Sequence, residues 1–149
     1  MNISLIGLGK LGYPMAEFLS SSALSINCYD KNEKLVLDLI NGRNYLEFEN
    51  GLRNYINNGN RLNFHLKIQD CLKGSSIVFM TVPTPSNNDG SFSNNYIIDV
   101  LEEISIYLRN SKNSDPYLIN INSTVSPGSI KEYFIPYMEK KGLKNNEDF

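Results

Sequence analysis

The sequence predicts an α/β domain in which a doubly wound, mostly parallel sheet carries helices on both faces. Two observations predict it. Short β-branched apolar runs occur along the chain without apolar–polar alternation, as strands buried on both faces require. Helical patterns fill the intervals, and strands alternating with helices mean βαβ units with right-handed crossovers. A length of 149 residues, 41% hydrophobic and 20% charged, suits one domain spanning residues 1–149.

The first strand is read at Ile3–Ile6 and the helix after it at Leu11–Leu19, where Leu11, Met15, Phe18 and Leu19 share one apolar face. A second strand, Ser25–Tyr29, precedes a helix over Lys34–Ile40 that Asn41-Gly42 stops. Asn50–Asn57 reads as a short helix and Phe64–Lys67 as a weaker strand. The strand Ile77–Val82 runs into Pro83–Asn95, an irregular stretch rich in Pro, Asn, Ser and Gly. A loop that long in a compact domain is usually functional. Tyr96–Leu108 follows as a helix with Ile97, Val100, Leu101, Ile104 and Leu108 on one side. After a strand at Tyr117–Ile121, the last helix is expected over Ser129–Lys140, with Ser126 as its cap and Pro127 at its first position. Pro136 is expected to kink it or end it early.

A net charge of −2 with both signs scattered argues against nucleic acid, which selects a basic stripe. No apolar run approaches the roughly 20 residues that span a bilayer. The N-terminus lacks the basic stretch and cleavage site of a signal peptide, so a cytoplasmic protein is the expectation. Cys28 and Cys71 match neither a disulfide framework nor a metal-site spacing and read as packing residues. His65, the single histidine, sits in the weak strand away from the expected crevice and reads as structural or exposed. That removes a Ser-His-Asp triad and a histidine metal site from consideration.

The stretch "ISLIGLGKLGYPMAEFLSSS" carries Gly7, Gly9 and Gly12 between the first strand and the first helix. This is the G-x-G-x-x-G dinucleotide fingerprint in its required context. Gly7 turns the chain off the strand, Gly9 lets a pyrophosphate approach the backbone, and Gly12 lets the helix pack closely on the strand. The helix N-terminus offers free N–H groups and a partial positive charge to the phosphates. Asp30 stands at the end of the second strand, where a carboxylate accepts hydrogen bonds from the adenosine ribose hydroxyls and repels a 2′-phosphate. The expected cofactor is therefore NAD rather than NADP, with Lys31 next door as a countervailing charge. The fold expected is Rossmann-type.

In open α/β sheets ligands bind beyond the carboxyl ends of the strands. Thr84 in "IVFMTVPTPSNNDGS" and Thr124 in "LININSTVSPGS" sit past two such ends. Each hydroxyl either bonds the nicotinamide ribose or carboxamide, holds a water, or satisfies a local backbone group.

"GLGKLGYPMA", "ENGLRNYINNGNRLNF", "VPTPSNNDGS" and "NSTVSPGS" occur in the order in which their counterparts run in the UDP-glucose/GDP-mannose dehydrogenase family. The chain resembles that family's N-terminal NAD-binding domain across essentially its whole length. The resemblance implies that the glycine loop with Lys10 and Leu11 cradles NAD, that Asp30 holds its adenosine ribose, and that Thr84 and Thr124 contact the cofactor. It also implies that Thr124 helps orient a catalytic water. The implied reaction is oxidation of a nucleotide-sugar C6 alcohol to the carboxylate with two NAD reduced, UDP-glucose being the commonest substrate. The family's catalytic cysteine and its lysine, asparagine, aspartate and glutamate helpers belong to segments beyond these residues. So do the central and C-terminal substrate-binding domains and the helix through which members form homo-oligomers. The chain alone is expected to bind NAD and oxidise nothing.

Three departures stand out. Asn50 follows Glu49 where the family has proline, Leu35 (with Lys34 beside it) stands where many members carry a lysine, and Ser93 replaces an acid in the loop. A hydroxyacid dehydrogenase of the 6-phosphogluconate type shares the first motif but not the V-P-T-P loop. A non-catalytic NAD-binding module would share the glycines and Asp30 without needing Thr124.

Overall fold

The computed structural model describes residues 2–22, 24–42, 61–111 and 116–149. Five strands, β1 (Asn2–Ile6), β2 (Ser25–Tyr29), β3 (Leu62–His65), β4 (Ile77–Met80) and β5 (Leu118–Ile121), form one sheet in the order β3-β2-β1-β4-β5. Every pairing is parallel. The chain winds outward from β1 through β2 to β3, then crosses back to β4 and β5. The order thus reverses between β1 and β4, which opens a crevice at their carboxyl ends.

Helices α1 (Gly12–Ser21), α2 (Glu33–Ile40), α3 (Ile68–Leu72), α4 (Asn95–Asn110) and α5 (Ile135–Lys140) cover the two faces. Side-chain alternation along β1 splits the interior into two cores. Ile3 and Leu5 pack with Tyr13, Ala16, Leu35, Val36 and Leu39 of α1 and α2. Ile6 faces the other way, toward Leu72, Ile97, Leu101, Ile104 and Met138 of α3, α4 and α5. The buried stripe of α4 contains all five apolar residues expected of it.

Several local expectations are corrected. On α1 the buried face is Gly12, Tyr13, Ala16, Glu17 and Ser20, whereas Leu11 and Phe18 are 57% and 64% exposed. Gly12, Ala16 and Ser20 bring the helix close to the sheet, Met15 and Leu19 pack at the margin of that core, and only Leu11 and Phe18 of the expected face turn outward. β3 lies two residues earlier than read, because β2 sets its register from Ile26↔Leu62 to Tyr29↔His65 and Leu66 falls past the pairing. Ser126 and Pro127 do not open the last helix. Gly128 follows with φ +86°, and helical backbone begins only after it. Pro136 neither ends nor breaks that helix. A π-helical turn, Ile130–Phe134, precedes it, and the Ile135 N–H donates to Ile130 O, five residues back. The wider turn absorbs the missing proline donor. The Asn50–Asn57 helix and the Glu49–Asn50 departure lie outside the described residues.

Cys28 and Cys71 are both free and fully buried, one in each core. Burial pushes both thiols up, Cys71 to about 12, which suits packing rather than nucleophilic attack. Ser4 and Ser75 join in a buried polar network, with their hydroxyls 2.6 Å apart and Ser75 Oγ 2.7 Å from Tyr117 Oη.

Glu17 is the misfit. It is 2% exposed, and neither carboxylate oxygen has a hydrogen-bond partner. Burial pushes its carboxyl above the ordinary value, and the Tyr13 hydroxyl, near but outside hydrogen-bond geometry, offsets this only in part. Such a group burdens the fold once the unfolded chain ionises, above about pH 4, and the burden grows up to the raised folded value. Glu17→Gln is therefore expected to gain about 1 kcal/mol or more at neutral pH, a gain that disappears near pH 4. Denaturant titrations at the two pH values check it, and parallel curves for the two proteins would refute it.

Candidate functional site

The site is assembled where β1 hands the chain to α1. Gly7 adopts φ +96°, and a Cβ there would lie 2.7 Å from the Thr81 carbonyl oxygen. Only glycine satisfies both constraints. Its N–H donates to Tyr29 O at 2.9 Å, which fastens the loop to β2. Gly12 is tighter still, since a Cβ there would stand 1.8 Å from Gly7 O and 2.4 Å from Thr81 Oγ1. Gly9 is the opposite case. A Cβ there would meet nothing within 4 Å, so its backbone faces open space. The roles assigned to the glycines from sequence are the roles this geometry permits. Lys10 and Leu11 are exposed beside Gly9, and no acidic residue stands in the first turn of α1 to compete with an anion.

Asp30 has a structural task that its sequence position did not suggest. Its Oδ2 accepts from the Leu8 N–H at 2.7 Å and its Oδ1 from the Asn32 N–H at 2.7 Å. The carboxylate thus clamps the glycine loop and the start of α2 together. Each oxygen retains an accepting lone pair for a ribose hydroxyl.

Gly7, Gly9 and Asp30 line one cleft of about 730 Å³. Its far wall is α4, with Tyr96, Asp99 and Glu103. Lys31 spans the two sides, its Nζ 3.9 Å from Asp99 Oδ2 and 5.9 Å from the centre of the Tyr96 ring. Glu102 also borders the cleft but is engaged by Lys141 and the Tyr137 hydroxyl, which hold its carboxyl below the usual range. Leu35 is buried in the α1–α2 core and Lys34 is exposed on α2, and neither lines the cleft.

Thr84 and Thr124 are not on this cleft. They follow β4 and β5, on the other side of the switch point, Thr84 half-buried and Thr124 exposed. The loop leading from Thr84 to α4 is ordered by its own bonds. Ser86 and Phe92 form an antiparallel bridge, Asp89 Oδ1 accepts from Ser91 N–H and Oγ, and Ser93 N–H donates to Pro85 O at 2.8 Å. Ser93 also anchors the loop through its Oγ, which accepts from the Asn95 N–H at 3.4 Å. His65 ends β3 and does not itself line the cleft, but it is not remote from it as expected, since it pairs in register with Tyr29, which does.

Sequence reasoning missed Thr81 and the α4 wall. Thr81 Oγ1 donates to Gly7 O at 2.7 Å, pinning the loop from β4. Its signal was a lone hydroxyl at the end of an apolar run. Asp99 and Glu103 had none, since they read as the solvated face of an amphipathic helix.

Comparison with known proteins places this geometry. The UDP-glucose/GDP-mannose dehydrogenase family, NAD binding domain, matches residues 1–149. A UDP-glucose 6-dehydrogenase of Rickettsia bellii is 32% identical over 98% of the chain and 33% of its own length. A GDP-mannose 6-dehydrogenase of Pseudomonas putida is 31% identical over 100% of the chain and 34% of its own length. The crystal structure of a ternary complex of the Pseudomonas aeruginosa GDP-mannose dehydrogenase superposes with a TM-score of 0.85 at 28% identity, covering 97% of the chain and 33% of that protein. The chain thus spans about a third of the length of the relatives it matches. Among the described residues no helix is long and apolar enough to cross a membrane.

Proposed function

We propose, for a chain that belongs to the UDP-glucose/GDP-mannose dehydrogenase family through its NAD-binding domain, that it serves a nucleotide-sugar 6-dehydrogenase acting on UDP-glucose or a close relative. Bound NAD would supply the hydride acceptor for converting the sugar C6 alcohol to the carboxylate, in two rounds of oxidation. Gly7, Gly9 and Gly12, with Lys10 and Leu11, would receive the pyrophosphate. Asp30 would hold the adenosine ribose, while Thr84 and Thr124 would face the nicotinamide half. The observation that carries the reading is the pairing of an open backbone at Gly9 with the clamped carboxylate of Asp30 on one cleft. An open backbone at the start of a helix, beside an acceptor at the end of the second strand, is the arrangement a dinucleotide calls for.

Calorimetric titration of NAD into the folded chain tests this directly. One saturable site is the expected result, and heats indistinguishable from dilution would dismiss it. Thr124 separates an enzyme from a non-catalytic binding module. In the complete dehydrogenase, Thr124→Ala is expected to lower kcat by roughly 10–100-fold, as loss of an oriented reactant does, and to change NAD affinity far less. Equal losses in turnover and affinity would reduce Thr124 to a binding contact.

A further inference from the structure

The sequence sets an acid and a base side by side at the ribose position, Asp30 and Lys31, and the two have opposite consequences. Asp30 repels a 2′-phosphate, whereas a basic side chain nearby is what NADP sites use to accommodate one. Lysine suits that task, being a flexible stem with three donors. The structure shows what becomes of it. Asp30 is held by the Leu8 and Asn32 N–H groups and is not free to swing away. Lys31 reaches across the cleft mouth to α4, where Asp99 and the Tyr96 ring receive its ammonium.

We propose that Asp99 is a specificity-determining residue for NAD over NADP, acting by drawing Lys31 to the α4 wall so that Asp30 alone governs the ribose 2′ position. This rests on assigning the cleft to the adenosine half of NAD. Two effects of Asp99 add with the same sign. It withdraws the one cation that lines the cleft among the described residues, and it places its own negative charge on the facing wall. A 2′-phosphate entering there meets carboxylates on both sides. The Lys31 and Asp99 side chains are 81% and 65% exposed, so their pairing is weak and screened by salt. The effect expected is moderate for that reason. Removing Asp99 frees an ammonium on the residue next to Asp30, on the lining of the same cleft.

The experiment is a set of NAD and NADP titrations at low ionic strength on the chain and its Asp99→Asn, Lys31→Gln and doubly substituted forms. Asp99→Asn is expected to tighten NADP by about three- to tenfold, with NAD changing less than about twofold. The gain is expected to shrink when Lys31→Gln is added, because no ammonium remains to be released and only the loss of the Asp99 charge is left. An unchanged NADP-to-NAD ratio in Asp99→Asn overturns the proposal, as does a gain of the same size in the double form. In both cases NAD binding itself survives and only this inference falls. A folded chain that takes neither dinucleotide overturns the cofactor reading and this inference together.

Discussion

Gly12→Ala is expected to abolish NAD binding and to remove about 3 kcal/mol or more of stability, the upper end of what forced overpacking costs. The new methyl would sit 1.8 Å from Gly7 O and 2.9 Å from Gly7 C, both backbone atoms. Gly7 has nowhere to retreat. Its N–H is bonded to Tyr29 O, its carbonyl accepts from Thr81 Oγ1, and its own Cα lies against the Thr81 carbonyl. The remaining relief is for α1 to lift off the sheet, which uncovers Ala16 and Tyr13 and with them Leu5 and Leu8 beneath. Gly9→Ala is the informative contrast, because its methyl enters empty space. That chain should melt close to the parent and still bind NAD more weakly. Thermal denaturation with matched NAD titrations reads both. A Gly12→Ala chain with unaltered melting would mean that α1 does not rest on β1 through this contact.

The same contact explains where the sequence misled. The Leu11, Met15, Phe18, Leu19 periodicity named a plausible buried face, and helical period alone makes it the natural choice. The close approach at Gly12 rotates the buried face to Gly12, Tyr13, Ala16, Glu17 and Ser20, so Met15 and Leu19 are left at its margin and Leu11 and Phe18 turn out. Strand–helix alternation, the glycine turn off β1 and the place of Asp30 at the end of β2 were legible because each is a local pattern. The β3 register was not legible, because an edge strand takes its alignment from the neighbour it pairs with. The far wall of the cleft was hidden for a related reason. Asp99 and Glu103 line the cleft only because the fold sets α4 opposite Asp30 and Lys31 at the end of β2, a tertiary fact that surface-like residue types do not announce. Pro136 shows the converse. The rule that proline disrupts a helix interior holds, and the disruption appears as one π turn instead of a break.

Asp30→Ala is expected to do more than weaken a cofactor contact. If the carboxylate served only the ribose, its loss would cost binding and leave melting alone. Here it accepts two backbone N–H groups at 2.7 Å, one of them from Leu8, which is fully buried. Alanine leaves the Leu8 donor without its acceptor inside the fold, and hydrogen bonds to a charged group carry about 1.5–3 kcal/mol each. The expectation is a loss of about 2–3 kcal/mol in the absence of NAD, together with at least a tenfold fall in NAD affinity. The two losses have one origin. The Leu8 tether fixes the loop next to Gly9, and the cradle proposed for the pyrophosphate is only as well placed as that loop. Urea titration without cofactor isolates the tether, and calorimetry under fully folded conditions isolates the ribose contact. Normal melting with lost affinity would confine Asp30 to the ribose. Lost stability with wild-type affinity would show that the acid builds the loop and never touches the cofactor.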